Sequence, residues 1–153
     1  MTATLAYYNE HAAAFFADTV DVDMAALHQR FLSTISAGGV LLDAGCGSGR
    51  DTRAFLERDF RVFAFDASPE LAQLAADHTG IAVAVRTFSD VREQSCYDGI
   101  WACASLLHLP AADIPAALAQ LFPRCLVPVS IRAIGTRAMS AWPNRRRKSC
   151  LSR

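Results

Sequence analysis

Alternating strand and helix patterns over the first 122 residues of this chain predict an α/β fold built on a mostly parallel sheet. Three observations carry the prediction. Short apolar runs at 40–42, 61–65, 81–88 and 100–103 read as strands, the first of them of the kind buried on both faces. Helical patterns at 50–58, 68–78 and 114–122 fall between or after them, in the order of a parallel sheet with crossover helices. A glycine-rich turn, Gly45 to Gly49, sits at the junction of the first strand and the helix that follows it.

Each element has a local cause. Ala12 to Ala17, with Phe15 and Phe16, favours helix, and 18–22 reads as a loop. Asp23 is placed to cap a second helix, in which Met24, Leu27, Phe31 and Ile35 recur at helical spacing. Gly38-Gly39 ends that helical segment, which spans about 5–36. Asp51 lies in the first turn of the helix at 50–58, where the helix dipole favours an acid. Ser68-Pro69 is a strong helix start, because Ser caps and Pro suits the first helical position. Gly80 ends that helix. Asp66 and Asp90 stand at or just past the ends of the second and third strands.

The chain of 153 residues suits one domain, and its 52% hydrophobic and 20% charged residues exclude disorder by composition. No apolar run approaches the length needed to cross a bilayer. The first Arg is Arg30, so the N-terminus lacks the basic start of a secretory signal. Five Cys form no CxxC pair, as expected of small core thiols in a reducing cytoplasm. The net charge of zero hides a split: residues 1–122 carry −8 and residues 123–153 carry +8, with no acid in the latter. The expected organisation is therefore a domain over 1–122 and a poorly ordered basic segment over 123–153. Within that segment 125–134 suits one strand, which Pro128 confines to a sheet edge or breaks.

The glycine loop constrains the ligand. Gly45 and Gly47 match the first two glycines of a dinucleotide loop, but Arg50 holds the third position, where close helix packing needs a small residue. The loop also lacks the GK[ST] of a P-loop. Asp66 can accept hydrogen bonds from two ribose hydroxyls, and Asp90 can receive an adenine amine. Loop and acids together describe a nucleoside site with no demand for phosphate binding.

Four ordered segments, "LLDAGCGSGRD", "VFAFDASPELAQLA", "TFSDV" and "YDGIWACASLLHLP", resemble the class I S-adenosylmethionine-dependent methyltransferases, closest to their small-molecule and tellurite-resistance-type branch. "YYNEHAAAFFADTVDVDM" resembles the helical lid of that branch. The resemblance covers about 7–122 and implies a Rossmann-like fold, S-adenosylmethionine as cofactor and methyl transfer to an acceptor. It implies that Asp43, Ala44, Gly45, Cys46, Gly47 and Gly49 wrap the methionine part. Asp66 would hold the ribose, Ala67 would lie on the adenine and Asp90 would meet its rim. Cys103 and Ala104 would floor the pocket, and 105–109 would face cofactor and acceptor. The absence of a Pro-Pro-aromatic motif after the fourth strand favours a small-molecule acceptor over a nucleic-acid base. His108 and Tyr8 are the candidate bases for an acceptor that must lose a proton. No metal is implied.

Plainer roles stand beside these. Asp43 can cap the loop by accepting backbone N–H groups, and Asp90 can be a solvated turn acid. Tyr8 can pack under the lid, His108 can be structural, and Cys46 can be a filler. His11, His28 and His78 are expected on helix surfaces. After residue 122 the family pattern of a Gly-Gly turn and three further strands is missing. That predicts a truncated or out-of-frame C-terminus and an exposed edge on the fourth strand. The alternatives to an active enzyme are a non-catalytic remnant and a dinucleotide-binding module. A basic tail for nucleic acid or membrane is disfavoured because 123–153 lacks interleaved aromatics and an amphipathic helix.

Overall fold

The computed structural model describes residues 3–92, 97–121 and 130–132. Three short helices come first: α1 (Ala3–Glu10), α2 (Ala12–Thr19) and α3 (Ala25–Leu32). Asp23 accepts the Ala25 N–H at 2.8 Å, as its capping role requires. There follow β1 (Val40–Ala44), α4 (Arg50–Leu56), β2 (Arg61–Asp66), α5 (Pro69–Thr79) and β3 (Val83–Val85). A 3₁₀ turn at Phe88–Asp90 leads toward β4 (Gly99–Cys103), a second at Leu106–His108 follows, and then come α6 (Ile114–Leu121) and β5 (Ser130–Arg132).

The five strands form one sheet in the order β3-β2-β1-β4-β5, every pair parallel. This is the expected Rossmann-like arrangement. Side chains alternate across it. Leu42, Ala44, Phe65, Ile100 and Ala102 pack with Leu121 on one face, and Leu41 and Trp101 pack with Phe31 and Phe55 on the other. Two hydrogen bonds clamp β1 to the start of β4: Asp98 N–H donates to Val40 O at 2.7 Å, and Val40 N–H donates to Asp98 Oδ2 at 2.9 Å.

Two expectations need correction. The strand over 81–88 is only three residues long, because Thr87 and Asp90 close a capping box and wind 88–90 into a 3₁₀ turn. The edge of β4 is not bare. Trp101, Ala102 and Cys103 pair with Ser130, Ile131 and Arg132, so a strand beyond Pro128 covers it and becomes the edge itself. The rest of the 123–153 segment, including 125–129, lies outside the described residues.

Candidate active site

The strand order reverses between β1 and β4. Chain direction carries β2 and β3 to one side of β1, and β4 returns on the other. In open parallel sheets the crevice at such a point, beyond the carboxyl ends of the strands, is where ligands bind. Gly45, at φ 78°, sits there against Ser105; a Cβ on it would lie 2.4 Å from the Ser105 Cβ. Only glycine fits that approach. Ser105 Oγ donates to the Ala44 carbonyl at 2.6 Å and closes the same seam.

The loop is fastened to β2. Gly45 and Cys46 N–H both donate to Phe65 O, at 2.9 and 3.0 Å. Gly47 N–H donates to Asp66 Oδ2 at 2.9 Å, and Ser68 N–H donates to Asp66 Oδ1 at 2.9 Å. Burial nevertheless raises the Asp66 pKa above the ordinary carboxylate value, against the lowering by these backbone donors. The Ala67 N–H is a third backbone donor that lowers it. Ala67 follows, half-buried, before the Ser68 cap.

Asp43 is 2% exposed and accepts the Thr52 hydroxyl at 2.6 Å. Its described partner is thus a side chain on α4 rather than the loop amides of the capping role. Burial, with the nearby Asp51 charge, pushes its pKa up to about 8. The Cys46 thiol is raised well above its usual value, chiefly by burial, which suits a filler and not a nucleophile. Burial also raises Cys103 at the end of β4. Ala104, next to it, has φ 58° in the left-handed region, which costs a residue with a Cβ about 1–2 kcal/mol. Such outliers gather at functional sites.

Asp90 lies apart from this cluster. It is exposed, and its Oδ2 accepts both the N–H and the hydroxyl of Thr87, at 2.9 and 2.6 Å. These bonds lower its pKa. The geometry is that of a turn acid with one oxygen left facing outward.

The two candidate bases, 100 positions apart, come together. The Tyr8 hydroxyl and His108 Nε2 are hydrogen-bonded at 3.1 Å, with ring centroids 5.1 Å apart. Burial raises the Tyr8 phenol, and the charges of Tyr7 and Asp66 add to it. Tyr8 also meets Phe15 edge-on at 5.2 Å, and the Phe15 ring lies 3.2 Å from where a Cβ on Gly47 would be. The N-terminal helices therefore lie over the glycine loop.

Sequence reasoning missed a side chain that four donor atoms share among the described residues. Asp51 is 6% exposed and accepts from His28 Nε2 at 2.8 Å, Trp101 Nε1 at 2.8 Å, and Arg50 Nε and Nη2 at 2.8 and 2.9 Å. Burial opposes its charge, but these donors hold its pKa well below the ordinary value. His28 is correspondingly a buried residue and not a surface one, because its ring nitrogen serves this carboxylate. Its partner lies 23 positions away and Trp101 is 50 positions from Asp51, so no local pattern joins them. Among the described residues, no group of three or more His, Cys, Asp or Glu could hold a metal ion, and no helix is long and apolar enough to cross a membrane.

Comparisons with known proteins agree with this fold. A malonyl-[acyl-carrier protein] O-methyltransferase of Serratia marcescens is 34% identical over 87 residues, 56% of this chain and 33% of that protein. The 1,6-didemethyltoxoflavin-N1-methyltransferase of Burkholderia thailandensis superposes with TM-score 0.60 at 28% identity. The match covers 80% of this chain and 58% of that one, whose crystal structure holds 1,6-didemethyltoxoflavin and S-adenosylhomocysteine. A TehB-like SAM-dependent methyltransferase of Corynebacterium glutamicum shares the fold at TM-score 0.64 and 22% identity, over 80% of this chain and 67% of that one. The chain thus spans about a third of the curated relative and under two thirds of the Burkholderia enzyme. The methyltransferase domain family matches residues 41–128, more than half of the sequence and every strand and loop that builds the crevice up to α6, and the chain belongs to that family.

Proposed function

We propose that the chain binds S-adenosylmethionine in the crevice between β1 and β4 and transfers its methyl group to a small-molecule acceptor. The observation that carries this reading is the fastening of the glycine loop to Asp66. Gly47 and Ser68 N–H groups fix the carboxylate at the mouth of the crevice, where two ribose hydroxyls can share it. Gly45, Gly47 and Gly49 leave the loop without side chains, so a ligand can approach the backbone there. Asp43, Ala44 and Cys46 complete the wall around the methionine part, with Ala67 on the adenine. Cys103 and Ala104 form the floor, and the outward oxygen of Asp90 is a minor contact at the adenine rim.

The bound cofactor supplies a methyl already activated by its sulfonium. The chain's task is alignment for in-line displacement and exclusion of water. Tyr8 and His108 close the outer side, and their hydrogen-bonded pair can take a proton from an acceptor O–H or N–H. The 28% identity to an enzyme whose crystal structure holds 1,6-didemethyltoxoflavin supports a small acceptor. The free thiols of Cys46 and Cys103 support a cytoplasmic setting.

Calorimetric titration of the 153-residue chain with S-adenosylmethionine tests the reading, with NAD and Asp66→Ala as controls. Micromolar binding is expected, weakened about 100-fold in the variant, as loss of a buried charge-assisted partner costs roughly 2–3 kcal/mol. NAD should not bind. A folded chain that ignores S-adenosylmethionine would sink the proposal.

A further inference from the structure

The Asp51 cluster has no part in the chemistry proposed above, yet it joins more elements than any other polar group described. Through His28 it holds α3, through Trp101 it holds β4, and through Arg50 it reaches α2. Arg50 spends Nε and Nη2 on Asp51 and donates Nη1 to the Thr19 carbonyl at 3.4 Å. Thr19 is the last residue of α2, one turn beyond Phe15, and its hydroxyl donates to Phe15 O at 2.7 Å. Phe15 is the ring that covers Gly47. Arg50 itself begins α4, immediately after the glycine loop.

We propose that Arg50 is a positioning residue that latches α2 over the glycine loop, and so retains the ligand of the crevice; the second half rests on the functional reading above. The fork of the guanidinium suits the task. Two N–H groups fix it rigidly on a buried carboxylate, and the remaining nitrogen is aimed at the lid carbonyl. A lysine offers no such fork. On the side of α5, α2 meets His78 through Phe16, edge-on at 5.6 Å. Residue 50 thus has a positive reason to be arginine where a dinucleotide loop requires a small residue: it exchanges close helix packing for a hold on the lid.

Two arms test this on the full chain with Arg50→Met and Arg50→Lys. The first is hydrogen exchange without ligand. Amides from Phe15 to Val20 should exchange at least about fivefold faster in both variants, while β1 amides keep the wild-type rate. Unchanged exchange in α2, or equal acceleration in α2 and β1, would overturn the latch. If the methionine variant does not fold, the lysine variant, which keeps the charge beside Asp51, decides the matter. The second arm is stopped-flow release of S-adenosylhomocysteine. Dissociation should accelerate about tenfold, with association within about threefold. Dissociation within twofold of wild type would overturn the retention role. A wild type that binds no S-adenosylhomocysteine would fail the functional reading and the retention role together, and the exchange arm would still decide the latch.

Discussion

The shoulder formed by β1, β2 and α4 and the rim that follows β3 both present acids, but the two regions are built differently. At the shoulder, Asp43, Asp51 and Asp66 are each held by a donor from another element, and Asp43 and Asp51 are nearly solvent-free. At the rim, Asp90 is exposed and bonded to Thr87 three positions away. Acids bonded across elements couple the N-terminal helices, the loop and the sheet. An acid bonded within its own turn shapes only that turn. Position in a family motif does not distinguish the two; the partner's distance along the chain does.

The largest expected effect breaks the shoulder outright. Asp51→Ala leaves the buried His28 and Trp101 donors and the part-buried Arg50 fork without their shared acceptor and should cost about 3–5 kcal/mol, read from urea unfolding. A loss below 1 kcal/mol would mean that the cluster is not a structural hub.

The next effect is on pH dependence. Asp43 has a folded-state pKa of about 8, above its unfolded value of 3.8. Its neutral form is the one the fold prefers. The stability linked to it is fully present below about pH 4 and is lost as pH rises toward 8. Asp43→Asn should therefore flatten the fall in Tm between pH 5 and pH 8.5. Parallel wild-type and variant profiles would show that Asp43 does not titrate in that window.

A smaller gain is available at the other end of α4. Asp59 has φ 61°, and Asp59→Gly should stabilise by about 0.5–1 kcal/mol in the same unfolding assay. The smallest effect belongs to the rim. Asp90→Ala should leave S-adenosylmethionine affinity within about fivefold of wild type, as expected for one exposed charge. A loss rivaling that of Asp66→Ala would erase the contrast between the regions.

What was legible in the sequence is what has a local cause. The run Val40-Leu41-Leu42, the glycine loop, the Ser68-Pro69 start and Gly80 stop, and Asp66 at its strand end are all present as expected. The shortening of β3 was hidden because Val, Ala and Val continue into a segment where Thr87 and Asp90 offer the backbone a competing cap. Tyr8 and His108 were each legible as candidates, but not their contact. The Asp51 hub was invisible, since an acid in a first helical turn already has a sufficient explanation in the helix dipole. The C-terminal edge was misjudged because composition changes at residue 123, whereas the pairing of β4 needs only three extended residues.

The reciprocal clamp between Val40 and Asp98 also closes the longer of the two loops that end on β1. Pairing β1 with β2 brings together Val40 and Arg61, whereas pairing β1 with β4 brings together Leu41 and Gly99. The longer closure costs about 0.9 kcal/mol more in chain entropy. The β1–β2 pairing therefore has the smaller entropic cost to meet. The crevice therefore depends on the longer of these two closures, because its second wall is in place only where Asp98 meets Val40.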